Sequence, residues 1–101
     1  MPLVSVIIPT FNRQDFITKA IDPVLAQQYQ DFELIVVDDG SMDNTYEIAK
    51  KAGAITLKHI VNMGKGAALK TGCDYSIKEE ADIIIVLDAD AQHDPVEIPR
   101  F

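Results

Sequence analysis

The chain has 101 residues, 48% of them apolar and 25% charged, with 9 basic against 16 acidic side chains and a formal net charge of −7. This is the length and composition of one globular domain, and it excludes a disordered chain with depleted aliphatics or a fibrous one with periodic glycine. The acidic balance argues against nucleic acid as a partner, because a phosphate backbone is bound by clustered lysine and arginine. A chain this acidic that binds phosphates needs a cation.

A domain of this size buries roughly 60–65% of its extended-chain surface, enough for a core without disulfides. The single cysteine, Cys73, cannot pair internally and fits a reducing, cytoplasmic compartment. The longest unbroken apolar run, Ile83 to Leu87, falls far short of the ~20 residues of a membrane span. The N-terminus has no charged-then-apolar leader, so neither spanning nor export is expected.

In chain order, Leu3 to Ile8 is a Val/Ile-rich run closed by Pro9 and reads as a buried strand. Ile17, Ala20, Ile21, Val24, Leu25 and Gln28 then recur at helical spacing and predict a helix with one apolar face. Pro23 interrupts it, and an interior proline costs about 3 kcal/mol, so a kink or local unwinding is expected at Lys19 to Asp22. Phe32 to Val37 is a second strand, closed by Asp38-Asp39-Gly40. Asn44 and Glu47 form a capping pair for a short helix that Gly53 ends. Ala54 to Ile60 reads as a third strand, Gly64 to Ile77 as a helix with Leu69, Cys73 and Ile77 on one stripe, and Asp82 to Leu87 as a fourth strand.

Strand and helix alternate with short connections, which predicts an α/β domain: a parallel sheet with right-handed crossovers and helices on both faces. Strands this apolar are expected to be buried on both sides. Asp94-Pro95-Val96-Glu97 reads as the opening turn of another helix, so the domain reads as cut after the fourth strand. The outer edge of that strand is then open or covered by a second copy in a homodimer.

Ligands of parallel α/β sheets bind beyond the carboxyl ends of the strands. Those ends carry Pro9-Thr10-Phe11-Asn12, Asp38-Asp39-Gly40-Ser41, Asn62-Met63-Gly64-Lys65-Gly66 and Asp88-Ala89-Asp90-Ala91-Gln92-His93. All four segments share one rim of a parallel sheet, and if the strand order is 3-2-1-4, the first and fourth strands are neighbours and Phe11, Asp39 and Asp90 converge on one crevice. Asp38, Asp39, Asp88, Asp90 and Asp94 gather there. Two like charges about 4 Å apart repel by about 4 kcal/mol at an effective dielectric of ~20, more than the ~1 kcal/mol of an ordinary hydrogen bond. A divalent ion is the simplest relief, and Asp88, Asp90 and the amide oxygen of Gln92 are hard donors suited to Mg2+ or Mn2+. The alternative for any one of these aspartates is that it only caps the helix that follows.

Phe11 either closes the edge of the core or stacks on a planar base. Asp39 is placed to accept from the N–H of a uracil or guanine, whereas Asp38 holds its loop and Gly40 frees the turn. Lys65 either stays solvated or reaches a diphosphate with the help of the helix dipole. Its loop fails the nucleotide-triphosphatase pattern, because Gly66 stands where Ser or Thr is required. His59 reads as structural, Cys73 as core, and His93 as a candidate contact to metal or substrate.

Taken in order, Pro9-Thr10-Phe11-Asn12, Val37-Asp38-Asp39-Gly40-Ser41 with Asp43 and Thr45, Asn62-x-Gly64-Lys65-Gly66-Ala67-Ala68, and Asp88-Ala89-Asp90-x-Gln92-His93 resemble the nucleotide-sugar half of family-2 glycosyltransferases. The likeness covers nearly the whole chain. The third block and Gln92-His93 look most like the subgroup of polyprenyl-phosphate (dolichyl-phosphate) mannosyl- and glucosyltransferases. The resemblance implies a GT-A fold and an inverting transfer of a sugar from a UDP- or GDP-sugar to an acceptor glycan or lipid phosphate, with Mn2+ or Mg2+. It implies nucleotide-sugar contacts at Pro9, Thr10, Phe11, Asn12, Asp38, Asp39, Gly40, Ser41, Asn62, Lys65, Asp88, Ala89 and Asp90. Asp39 matches the base-recognising aspartate, Phe11 the aromatic near the base, Asp88 and Asp90 the Asp-x-Asp pair, and Gln92 an extra metal contact. Residues 1–101 would be the donor-binding half, inactive alone, with the acceptor half and catalytic base absent, in the cytoplasm or at the cytoplasmic face of a membrane.

Two other readings use the same acidic segments. A magnesium-binding phosphoacceptor signalling domain would carry its acidic pair after the first strand, not the second, and needs a later strand-end lysine. A haloacid-dehalogenase-like phosphotransferase would place its Asp-x-Asp after the first strand, and a nucleotidyltransferase of similar fold is the remaining alternative.

Overall fold

The computed structural model describes residues 4–27 and 31–87. Four parallel strands, β1 (Val4–Thr10), β2 (Phe32–Asp38), β3 (Ile55–Lys58) and β4 (Ile83–Val86), alternate with α1 (Ile17–Leu25), α2 (Thr45–Lys51) and α3 (Lys65–Lys78). The sheet order is β3-β2-β1-β4, the expected one. β1 pairs with β2 from Val4↔Phe32 to Thr10↔Asp38, and with β4 from Val4↔Ile83 to Ile7↔Val86.

Alternation along β1 and β2 divides the core in two. Val4, Val6, Ile8, Leu34 and Val36 pack with Ile17, Ile21 and Val24 of α1 and Ala49 of α2. Ile7, Ile35 and Val37 face the other way, against Ala68 of α3. Helices therefore cover both faces and the fold has three layers. Burial on both sides holds for β1 and β2, whereas Ile83, Ile84 and Val86 of β4 remain exposed and β3 is half-buried. The edge strands have a neighbour on one side only among the described residues.

Three local expectations change. Pro9 does not end β1, which runs to Thr10. Leu87 N–H donates to the Ile7 carbonyl at 2.9 Å and Asp39 N–H to the Thr10 carbonyl at 2.8 Å. Odd residues of β1 therefore bond toward β4, and Pro9 falls beyond the last β4 pair, where a missing N–H breaks no bond to β2. Pro23 lies inside α1 and no unwinding occurs at Lys19 to Asp22. Burying Ile17, Ile21 and Val24 contributes about 1.5–3 kcal/mol each, which outweighs the ~3 kcal/mol of an interior proline. Gln28, the last residue of the expected stripe, lies outside the described residues.

The third change concerns α3. The stripe it buries is Ala68, Gly72 and Ser76, not Leu69, Cys73 and Ile77. Ile77 is exposed, while Cys73 packs partly against the core. A Cβ on Gly72 would lie 2.6 Å from Ile7 Cγ2, so this helix meets the sheet at a distance that only small residues allow.

Candidate functional site

The carboxyl ends of β1 and β2 and the first turn of α3 enclose a cleft of about 330 Å3, lined by Pro9, Thr10, Phe11, Arg13, Asp39, Asn62, Gly64, Lys65 and Ala68. The cleft lies beside β1, where the strand order reverses.

Its near wall is the segment after β1, and two carboxylate relays hold that segment. Ser41 Oγ donates to Asp38 Oδ1, which leaves its lone pairs to accept the Asn12 N–H at 2.8 Å. Thr45 Oγ1 donates to Asp43 Oδ1 in the same way and accepts the Arg13 N–H at 2.9 Å. Asn12 Oδ1 accepts the Met42 N–H at 2.9 Å, and Asn12 adopts φ 51, a left-handed geometry that asparagine tolerates. Each hydroxyl has a single proton, so the carboxylate that takes it decides which way the hydroxyl can accept. Together the bonds fix the loop from which Phe11, 39% exposed, shows its ring to the cleft. Asp43 also caps α2 by accepting the Thr45 N–H at 3.0 Å, a role the spacing gave to Asn44 and Glu47.

Asp38 and Asp39 are adjacent in the chain and opposite in role. Asp38 is fully buried, its Oδ1 accepts from the N–H and hydroxyl of Ser41, and its Oδ2 has no hydrogen-bond partner among the described residues. Burial raises its carboxyl above the ordinary value, against the opposing effect of the Ser41 bonds. Asp39 closes the back of the cleft. Its Oδ1 accepts from His59 Nδ1 at 2.8 Å and the Met63 N–H at 2.9 Å, and its Oδ2 from the Gly64 N–H at 2.9 Å. Burial pushes its pKa up, but the Met63 amide, His59 and the Gly64 amide together outweigh that and hold it below the ordinary value. Local donors therefore hold the Asp39 carboxylate, whereas Asp88, Asp90 and Asp94, the other members of the expected acidic cluster, lie outside the described residues.

Pro9, Thr10, Phe11, Asp39, Asn62 and Lys65, all expected at a ligand site, meet at the cleft. Asn12, Asp38, Gly40 and Ser41 stand behind it as the scaffold of its loops. Gly40, at φ 77, sits so close to the following crossover that a Cβ would lie 2.4 Å from the Val61 carbonyl carbon. Asp88, Ala89, Asp90, Gln92 and His93 lie outside the described residues. Among the described residues no three His, Cys, Asp or Glu side chains group to hold a metal. Gly64, part of an expected rim segment, also lines the cleft, and Arg13 and Ala68 do so without having been singled out for it. Ala68 belongs to the small-residue stripe that apolar periodicity does not mark, and a lone arginine in a loop carries no pattern. His59, read as structural, is largely buried and bridges Asp39 and Thr71 of α3.

This geometry defines a doubly wound α/β domain with its ligand cleft at the topological switch point. The chain belongs to glycosyl transferase family 2, whose model matches residues 5–101. It is 35% identical to the undecaprenyl-phosphate 4-deoxy-4-formamido-L-arabinose transferase of Proteus mirabilis over 107 residues, covering 97% of this chain and 32% of that protein. TarS from S. aureus in complex with UDP-GlcNAc superimposes with a TM-score of 0.79 at 28% identity, over 89% of this chain and 27% of TarS. The mannosyltransferase PcManGT from Pyrobaculum calidifontis, in complex with GDP-Man and Mn2+, gives 0.75 at 28% identity, over 88% and 28%. The fold is the GT-A fold of these glycosyltransferases. The chain spans about a third to two fifths of the length of the curated relatives it matches.

Proposed function

We propose that residues 1–101 form the nucleotide-sugar-binding half of an inverting, metal-dependent hexosyltransferase that moves a sugar from a UDP- or GDP-sugar to polyprenyl phosphate or a growing glycan. One observation carries this reading: a buried, ionised Asp39 at the back of a cleft whose mouth shows the Phe11 ring. A planar base stacked on Phe11 presents its edge to Asp39, and a carboxylate there accepts one base N–H. Lys65, on the first turn of α3, and Arg13, on the loop after β1, bring positive charge to the same cleft, where a diphosphate is to be held. The complexes of TarS with UDP-GlcNAc and of PcManGT with GDP-Man support a nucleotide-sugar donor, and the arabinose transferase supports a lipid-phosphate acceptor.

Asp88, Asp90 and Gln92 offer hard oxygen donors of the kind that Mn2+ or Mg2+ prefers. Leu87, the last described residue before them, donates its N–H to the Ile7 carbonyl of β1. When bound, the ion neutralises the leaving nucleoside diphosphate. The described residues supply base recognition, diphosphate charge pairing and a rigid wall, but no catalytic base, and the chain alone binds donor without turnover. No helix among the described residues is long and apolar enough to cross a membrane. The setting that fits best is the cytoplasm or the cytoplasmic face of a membrane, where nucleotide sugars meet lipid acceptors.

Calorimetry with UDP and GDP tests the reading. Binding of one of them should require Mn2+ or Mg2+ and weaken at least about tenfold, or ~1.4 kcal/mol, in Asp90→Ala. Binding that is indifferent to metal and to Asp90 overturns it.

A further inference from the structure

We infer that His59 is a positioning residue for donor recognition, locking the Asp39 carboxylate so that a single acceptor position is left for the ligand. This rests on the donor-site reading above and names what sets its preference between bases.

His59 follows β3 directly, and its backbone N–H donates to the Asp38 carbonyl at 2.8 Å, so the β2 ladder fixes where its ring begins. The ring spans from Asp39 Oδ1, 2.8 Å from Nδ1, to Thr71 Oγ1 on α3, 2.8 Å from Nε2. The His59 and Asp39 side chains are 11% and 5% exposed. Thr71 Oγ1 also lies 3.0 Å from the Ala67 carbonyl. A hydroxyl has one proton, which leaves two arrangements. If it goes to Ala67, the hydroxyl accepts from Nε2–H and the ring carries both protons. If it goes to Nε2, the ring carries its proton on Nδ1. In both, Nδ1–H donates to Asp39, because an ionised carboxylate can only accept.

A carboxylate has about four lone-pair positions. His59 and Met63 occupy both on Oδ1, and Gly64 occupies one on Oδ2. One position on Oδ2 remains. It suits a base edge with one ring N–H, as in uracil or guanine, and repels the bare ring nitrogen that cytosine or adenine presents there. The two amides belong to the loop of residues 62–64 itself. His59 is the one partner tied to both the sheet and α3. Without it Oδ1 has an open position, and the carboxylate can turn to meet a ring nitrogen through water.

The test compares binding of UDP with CDP and of GDP with ADP to the full chain in Mn2+, with pyrophosphate as a control that has no base. The wild-type chain should prefer one N–H-bearing base over its counterpart by about tenfold or more. His59→Ala should bring that ratio within about twofold while pyrophosphate binding stays within about twofold of wild type. His59→Asn places an amide N–H where Nδ1–H was and should restore the ratio, whereas His59→Gln reaches toward Thr71 and should not. Should His59→Ala fail to fold, the contrast between the Asn and Gln variants carries the test. A ratio unchanged in His59→Ala, equal behaviour of Asn and Gln, or a parallel loss of pyrophosphate binding overturns the positioning role alone. A wild-type chain that prefers neither base of either pair overturns the donor-site reading and this inference with it.

Discussion

On the face covered by α1 and α2, the sheet offers Val4, Val6, Ile8, Leu34 and Val36 to Ile17, Ile21 and Val24. On the face covered by α3, it offers Ile7, Ile35 and Val37 to a helix that buries only Ala68, Gly72 and Ser76. The first interface is filled by side-chain volume and the second by close approach of the backbone. That closeness has a consequence at the carboxyl rim, because it brings the Gly64 amide and the first turn of α3 to Asp39. One residue earlier the chain faces the other way, and Asp38 is spent on its own loop. The face with small residues is the one that carries the candidate site.

The largest way to break this arrangement is at Gly40, where the loops of the two faces touch. In Gly40→Ala the new methyl would meet Val61 and Asn62 backbone atoms at 2.4–2.9 Å, and φ 77 is unfavourable for alanine. With backbone on the far side and little freedom to yield, the expected loss exceeds about 4 kcal/mol in chemical denaturation. Next, Ile21→Ala on the volume-filled face should lose about 2–5 kcal/mol with nucleotide affinity unchanged. Gly72→Ala on the close-approach face should lose less, about 1–2 kcal/mol, because better helix propensity offsets part of the clash with Ile7. It should nevertheless weaken nucleotide binding severalfold, since α3 must back away from the cleft. Equal effects of Ile21→Ala and Gly72→Ala on binding would mean that the two faces are equivalent.

The sequence made the strands and their shared rim legible because both follow from short-range signals, whereas the strand order came with the family resemblance. Val/Ile runs end in Asp-Asp-Gly or Pro-Thr-Phe-Asn, and a parallel sheet puts all such ends on one side. The packed stripe of α3 was misread because apolar periodicity points to Leu69, Cys73 and Ile77, whereas this interface selects for smallness, which hydrophobicity does not register. The partners of His59 were not legible because they lie 20 residues before it and 12 after it, and neither pairing leaves a local pattern. Which of two adjacent aspartates faces the cleft was readable in principle. Ile7 and Val37 on the α3 side fix the parity of Asp39, but only once it is known that the cleft lies on that side.

The same parity predicts opposite pH dependences for Asp38 and Asp39, the smallest of these effects and the sharpest. Asp39 sits below the ordinary carboxylate value of 3.8, so its contribution is present above that pH and is lost as pH falls through its folded-state value. Asp38 sits above 3.8, so its contribution is present at low pH and is lost as pH rises through its raised value. Asp39→Asn should therefore destabilise the chain more at about pH 7 than at about pH 3, and flatten the acid limb of the stability curve. Asp38→Asn, which keeps an oxygen for the Ser41 bonds, should compare more favourably with wild type at about pH 7 than at about pH 3, and leave that limb steeper. Urea denaturation of both variants across this range reads the two slopes directly. If they change in the same sense, the two carboxylates do not occupy the opposed environments that the alternation of β2 gives them.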